Sequence, residues 1–293
     1  SSSELITLVV EEVIDYTVAD SNDVSLVRRY HPEVRVAFDI SEQQGLAWAM
    51  PELEDDSLYQ AAVEFLDSIK KSGELDTMLA RHYGHIRNYD YAGTPTYRRH
   101  IAGRLPTYMD QFKSAAEANG LDWRLVAAVA YQESHWNPLA VSPTGVKGIM
   151  MLTKVTAAEL GIEERTDPIQ SIEGGARYLK KLFDKFADLP DPDRTWLALA
   201  AYNVGIGHVK DAQILTEKSG GDPTQWTDVK QKLPLLSQQK WYRQTRYGYA
   251  RGHEPVKYVE NIRSYYDIMR GHFDREKPRN ERKPIMAFSP PAL

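Results

Sequence analysis

Residues 121–138, "LDWRLVAAVAYQESHWNP", decide how the larger part of this chain folds. Asp122 is placed to cap a helix whose apolar residues recur at helical spacing, and Pro138 forces Asn137 out of the helical region, so the helix must stop before it. The inward positions run Val126, Val129, Ala130 and then Glu133. A carboxylate thus continues the buried stripe, where a charge is costly unless it has a partner or a task.

The helical reading extends outward in both directions. "LPTYMDQFKSAAEANG" ends at Gly120, and "TKVTAAELG" is a short helix closed by Gly161. In "DPIQSIEGGARYLKKLFDKF" Asp167 is the cap and Pro168 the first helical residue, followed by Ile169, Ile172, Ala176, Leu179, Phe183 and Phe186 on one face. "DRTWLALAAYNVG" ends at Gly205, and "EPVKYVENIRSYYDIM" supplies the last long helix. No convincing strand falls between 100 and 270. Residues 211–253 are aromatic and poorly periodic, which suggests a functional excursion more than a linker.

The first 84 residues read differently. "ITLVVEEVIDYTVADSN", "VRVAFDIS" and "GLAWAMP" are short β-rich runs separated by polar breaks. A helix is expected from Asp56 or Ser57 to Gly73, with Leu58, Ala62, Phe65 and Ile69 on one face, and "ELDTMLARHYG" forms a second. This order resembles the C-terminal portion of a periplasmic solute-binding domain of the amino-acid-binding type, and 84 residues are too few for both lobes. The expected organisation is therefore a partial solute-binding-like domain at 1–84, a linker at 85–99, a helical domain at 100–273 and a basic, Pro-containing extension at 274–293.

Composition bounds the function. At 293 residues and a net charge of −5, with no basic stripe, the chain does not look like a nucleic-acid protein. It has no cysteine, which excludes disulfides, thiolate metal sites and a cysteine nucleophile. His82 and His85 stand without a carboxylate cluster and read as surface or linker residues, so no metal is expected. No apolar run reaches the length of a membrane span, and no signal peptide is visible. The opening "SSSELITLVV" reads as the middle of a pattern.

The chemistry gathers around Glu133. A carboxyl at the end of a helix with an apolar inner face has its anion disfavoured, so it can stay protonated near neutral pH and donate a proton. Cleavage of a glycosidic bond requires such a donor to the leaving oxygen. Read alone, a glutamate reaching water at a frayed helix end is the plainer reading of Glu133. "SPTGVKGIMML" places Gly145 and Gly148 in a turn that presents Met150. Tyr202 and Asn203 close "LALAAYNVG" and can hydrogen-bond sugar hydroxyls, although a core tyrosine and a cap are the plainer reading. Tyr258 in "VKYVENI" aligns with Ile262, Tyr265 and Met269, which by itself suggests core packing.

Taken in order, "ES", "GIMM", "AYN" and the tyrosine of "VKYVENI" resemble the family 1 lytic transglycosylases. With a solute-binding-like segment in front, the arrangement is similar to the F type of membrane-bound lytic murein transglycosylases. The resemblance covers roughly 100–270 and implies a mostly α chain with a goose-type, lysozyme-like catalytic domain. It implies Glu133 as the single catalytic acid and then base. Ser134 would position the sugar or the helix end, Met150 would line the cleft, and Tyr202 and Asn203 would bind near the cleaved bond. Tyr258 would hydrogen-bond Glu133. Met151 departs from the family, which commonly carries glutamine there.

The resemblance also implies a substrate, peptidoglycan glycan strands, and a product with 1,6-anhydromuramic ends, with no cofactor or metal. The implied location is periplasmic, peripheral to the outer membrane of a Gram-negative bacterium, with membrane association only through a segment absent from this chain. Asp20 and Ser21 in "VADS" fall where solute-binding domains often contact ligand, and cell-wall peptides are the expected regulatory partners. A strand-end turn stabilised by its own side chains is an equal reading of those two residues. Two alternatives stand beside the enzyme: a muramidase-type hydrolase, and a non-catalytic cell-wall-binding sensor. The hydrolase would need a second carboxylate, and Asp110, Glu117, Glu159, Glu163 and Glu164 all sit on exposed-looking helices or their ends.

Overall fold

A computed structural model describes residues 2–42, 45, 47–51, 55–84 and 93–274. His85, most of the expected linker and the extension beyond 274 lie outside these residues. The described chain is mostly α-helical, and no strand forms in it; an isolated antiparallel bridge pairs Val141 with Lys147. It divides into two compact units. The first draws on Ser1–Val34, Asp90–Asp184 and Tyr258–Leu293, the second on Arg35–Tyr89 and Lys185–Lys257.

In the first unit, α1 (Ser2–Val10) and α2 (Ser21–Arg28) come before α5 (Thr94–Gly103), α6 (Met109–Ala118) and α7 (Trp123–Ser134), the two helices between α2 and α5 belonging to the second unit. α8 (Lys154–Glu159), α9 (Pro168–Asp184) and the segment from Tyr258 onward of α14 (His253–Asp274) complete it. α7 is buried on nearly every side: Leu125 to Tyr131 are all inaccessible, as expected of a helix that is apolar all round. It packs against α6 and α9, which bring Phe112 and Ala116, and Ile172, Ala176 and Leu179, into the same core. Asp122 caps α7 by accepting the Arg124 N–H at 2.9 Å, and Asp167 accepts the Gln170 N–H at the start of α9. The chain from Arg29 to Val34 is tied to this unit by charge. Arg29 Nε donates to the buried Asp267 on α14 at 2.7 Å, and Arg98 on α5 donates to Glu33 at 2.8 Å.

The second unit contains α3 (Ser57–Ser72), α4 (Glu74–Tyr83), α10 (Asp193–Val204), α11 (Ile206–Lys218), α12 (Trp226–Lys232) and the short α13 (Gln239–Tyr242). Leu197, Leu199, Val209, Trp226 and Val229 form its interior. Two buried carboxylates organise it. Asp193 accepts the Trp226 N–H at 2.9 Å and pairs with Arg81, while Asp211 accepts the backbone N–H groups of Arg246 and Tyr247.

The N-terminal β-runs expected from sequence are not strands. "ITLVV" lies inside α1, and 35–42 and the described part of "GLAWAMP" form no ladder. A helix satisfies its backbone groups within its own segment, whereas a strand needs a second strand, and no described run pairs with these. α3 has the expected bounds, with Gly73 in the left-handed conformation behind it, but of its expected apolar face only Ile69 is buried; Leu58 and Phe65 remain exposed.

Candidate active site

Glu133 stands one residue before the end of α7, half-buried, and Tyr258 approaches it from α14 within the same unit. The Tyr258 hydroxyl donates to Glu133 Oε1 at 2.5 Å, across 125 residues of chain. Burial pushes the Glu133 carboxyl up to about 7, and the Tyr258 hydrogen bond offsets part of that rise. No cation contributes to the balance. The position in the helix works in the same direction, because the negative end of the helix dipole lies at the C-terminus and disfavours an anion there. A carboxyl so placed holds its proton in a substantial fraction of molecules near pH 7 and can then serve as base once that proton is gone.

Ser134 is buried and does not face an open surface. Its hydroxyl lies 2.8 Å from the Ile149 carbonyl and 3.1 Å from that of Ala130, so it joins the end of α7 to the glycine turn. The turn itself depends on Gly148, whose φ is +98° and where a Cβ would meet the Arg165 carbonyl oxygen at 2.1 Å. Met150 follows with no exposed surface, although a cleft-lining side chain was expected. It fills a notch in α9 opposite Gly175, and its N–H donates to the Ser171 hydroxyl. Met151 is half-buried and left-handed, with φ of +49°.

Tyr202 and Asn203 occupy the last turn of α10 in the second unit, Tyr202 half-buried and Asn203 exposed, just before Gly205. The structure therefore brings Glu133, Ser134, Met150 and Tyr258 together in one unit and puts the "AYN" pair in the other. Asp20 and Ser21 are exposed at the start of α2; Asp20 has the extended backbone of a cap but makes no capping bond with its side chain. Asp110, Glu117, Glu159, Glu163 and Glu164 are all exposed.

One feature escaped the sequence reading. His135 and Trp136, immediately after the "ES" pair, are both left-handed, with φ of +53° and +56°. Each such non-glycine residue costs roughly 1–2 kcal/mol, so two in succession must be held from outside. Trp136 is buried, and its indole N–H donates to the Ala127 carbonyl at 2.8 Å; Arg104 donates to the His135 carbonyl at 2.9 Å. The only local signal was a tryptophan directly before Asn-Pro, too little to predict a helix that folds back on itself.

Comparison with known proteins bears out the resemblance read from the motif order. Residues 110–223 match the transglycosylase SLT domain, a span that holds every expected catalytic-domain residue except Tyr258. The chain is 53% identical over 269 residues to membrane-bound lytic murein transglycosylase F 1 of Alkalilimnicola ehrlichii, covering 92% of this chain and 54% of that protein. It is 51% identical over 267 residues to membrane-bound lytic murein transglycosylase F of Saccharophagus degradans, covering 91% of this chain and 53% of that protein. The chain thus spans about half the length of the curated relatives it matches. Among solved structures, the lytic transglycosylase Slt of Pseudomonas aeruginosa aligns with a TM-score of 0.44 at 23% identity, over 61% of this chain and 25% of that one. The 70 kDa soluble lytic transglycosylase of Escherichia coli aligns with a TM-score of 0.43 at 24% identity, over 57% and 24%.

Proposed function

We propose that this chain, which carries a transglycosylase SLT domain and is homologous over nine-tenths of its length to F-type membrane-bound lytic murein transglycosylases, is a peptidoglycan lytic transglycosylase with Glu133 as its acid and base. The observation that carries the reading is a single carboxyl, raised by burial to about 7 and hydrogen-bonded only by a tyrosine hydroxyl. Protonated Glu133 gives its proton to the oxygen of the β-1,4 bond between N-acetylmuramic acid and N-acetylglucosamine as the bond to C1 breaks. The substrate's own N-acetyl oxygen stabilises the cation that forms. The Glu133 carboxylate then takes the proton of the C6 hydroxyl, O6 attacks C1, and a 1,6-anhydro ring closes. No water is consumed.

Tyr258 serves both halves of this cycle, because its hydroxyl fixes one carboxyl oxygen and leaves the other to work. Ser134 and Met150 act by holding the helix end and the glycine turn. Tyr202 and Asn203 are the sugar-binding pair that the motif order implies. A hydrolase would use a second carboxylate flanking the bond; the five other candidate acids are exposed, which favours the transglycosylase. A peptidoglycan substrate supports a periplasmic location, peripheral to the outer membrane. Among the described residues no helix is long and apolar enough to cross a membrane.

Product analysis tests the proposal. Digestion of purified peptidoglycan is expected to give anhydromuramic ends, and Glu133→Gln to give none while keeping its circular dichroism. Reducing muramic ends would point to hydrolysis, and binding of sacculi without soluble fragments to a non-catalytic module. For the N-terminal segment, the exposed Asp20 and Ser21 are the proposed contacts of a regulatory cell-wall peptide. Lytic rates of the full-length protein that do not respond to such peptides would remove that part.

A further inference from the structure

The catalytic helix does not simply end after Glu133 and Ser134; it is bent back by a turn that its own residues disfavour. His135 and Trp136 are consecutive left-handed non-glycine residues, a conformation seldom kept unless the surroundings impose it, and one that tends to gather at working sites. Two contacts impose it here. Trp136 turns its indole under the helix and donates to the Ala127 carbonyl, one and a half turns before Glu133. From the cap position just past α5, Arg104 reaches the His135 carbonyl on the other side of the bend.

The tryptophan ring is also part of an aromatic cluster that ties together the two elements bearing the site. Its ring packs edge-on to Tyr131 at 4.7 Å between centroids, and Tyr97 lies 5.6 Å away. Tyr97 and Tyr131 in turn each pack on Tyr265, and the Tyr97 hydroxyl donates to the Tyr265 backbone carbonyl at 3.1 Å. Tyr265 lies seven residues after Tyr258 on α14, so it shares a helix face with the hydrogen-bond partner of Glu133. One buried ring therefore sets both the bend beyond Glu133 and the seating of α14.

We propose that Trp136 and Arg104 are positioning residues for the lytic reaction: by holding the left-handed turn after α7 they fix the Glu133 carboxyl beneath the Tyr258 hydroxyl and keep water away from it. Neither touches the glycan. This rests on the reaction proposed above. Loosening the turn lets the carboxyl move and become hydrated, so its proton is released at lower pH and donated from a poorer geometry. A displacement of about 1 Å is enough to cost a reaction up to about a hundredfold in rate.

Trp136→Phe keeps the ring and removes the indole donor, whereas Arg104→Gln, at an exposed residue, is chosen to leave the fold intact. On soluble glycan strands, Trp136→Phe is expected to lower kcat about tenfold and Arg104→Gln about threefold, with KM held within about twofold. In both, the basic limb of the kcat profile should move to lower pH, and Arg104→Lys should recover most of the loss. Arg99→Gln, which removes an exposed arginine of α5 whose side chain bonds Thr96, should change none of these. Carbon-13 NMR titration of the Glu133 carboxyl reads the same shift without turnover, so a failure of the proposed chemistry is distinguishable from a failure of the positioning. Wild-type kcat, an unmoved basic limb and an unmoved carboxyl titration in both variants would overturn the proposal, whatever happens to Tm.

Discussion

The two ends of α7 each carry a carboxyl, and they behave in opposite ways. Burial disfavours the charge on both. At the N-terminus, Asp122 is met by the Arg124 guanidinium, the Arg124 N–H and the Tyr266 hydroxyl, and these hold it below the usual carboxylate range despite its burial. At the C-terminus, Glu133 meets only the Tyr258 hydroxyl, and burial prevails. The helix dipole deepens the contrast, since it favours an anion at the first end and opposes one at the second. What separates the two carboxyls of this helix is the supply of compensating charge together with depth: Glu133 lies deeper and has less to offset its burial.

The sharpest way to break the contrast is to remove the one partner Glu133 has. Tyr258→Phe is expected to reduce the lytic rate about a hundredfold, within the range of general acid–base contributions. With the only lowering influence gone, the carboxyl should rise above its present value of about 7 and carry the basic limb upward. That shift is opposite in sign to the one expected when the turn at 135–136 is loosened. A limb that moves down in Tyr258→Phe would show that the hydroxyl is not what tunes the acid.

At the other end, Arg124→Ala strips Asp122 of its cation and also breaks the 2.8 Å contact with Asp274. Leaving a half-buried carboxylate uncompensated should cost about 2 kcal/mol of stability in urea unfolding, below the 3–5 kcal/mol typical of a fully buried pair. No loss at all would mean that water already serves Asp122.

The smallest effect concerns stability and pH. A carboxyl raised from 4.5 to about 7 by folding binds its proton more tightly in the native state, so folding is most favoured below about 4.5 and loses stability as pH rises through about 7. Glu133→Gln removes that loss. It should therefore stabilise the protein by on the order of 1 kcal/mol at pH 8, discounted for a side chain that is not fully enclosed, and by nearly nothing at pH 4. Equal Tm gains at both pH values would point to packing and not to ionisation.

Much of this was legible locally. Asp122, the apolar run behind it and Pro138 define α7 without help from the rest of the chain, and the same holds for Asp167 and Pro168 at α9. Glu133 was visible as a misfit in a periodic stripe. The Glu133 to Tyr258 bond was reached only through the order of four motifs, because nothing local to either residue points across 125 positions. α1 was misread as β-rich because short apolar runs with β-branched residues satisfy either period, and the choice turns on whether a partner strand exists. Met150 was expected at the cleft from the family resemblance; the notch that takes its side chain lies 25 residues further on, at a glycine whose purpose no local pattern displays.

That glycine has a consequence for how the protein can change. Gly175 sits in the middle of a 17-residue helix, where alanine would ordinarily be the better residue. A Cβ there would come 2.5 Å from the Met150 Cε and 2.7 Å from its Cβ. Positions 150 and 175 therefore share one fixed volume, and a side chain at 175 has room only if the one at 150 is changed with it. Drift at this point of the active-site unit is a paired exchange: a larger residue on the helix must arrive together with a smaller one in the turn.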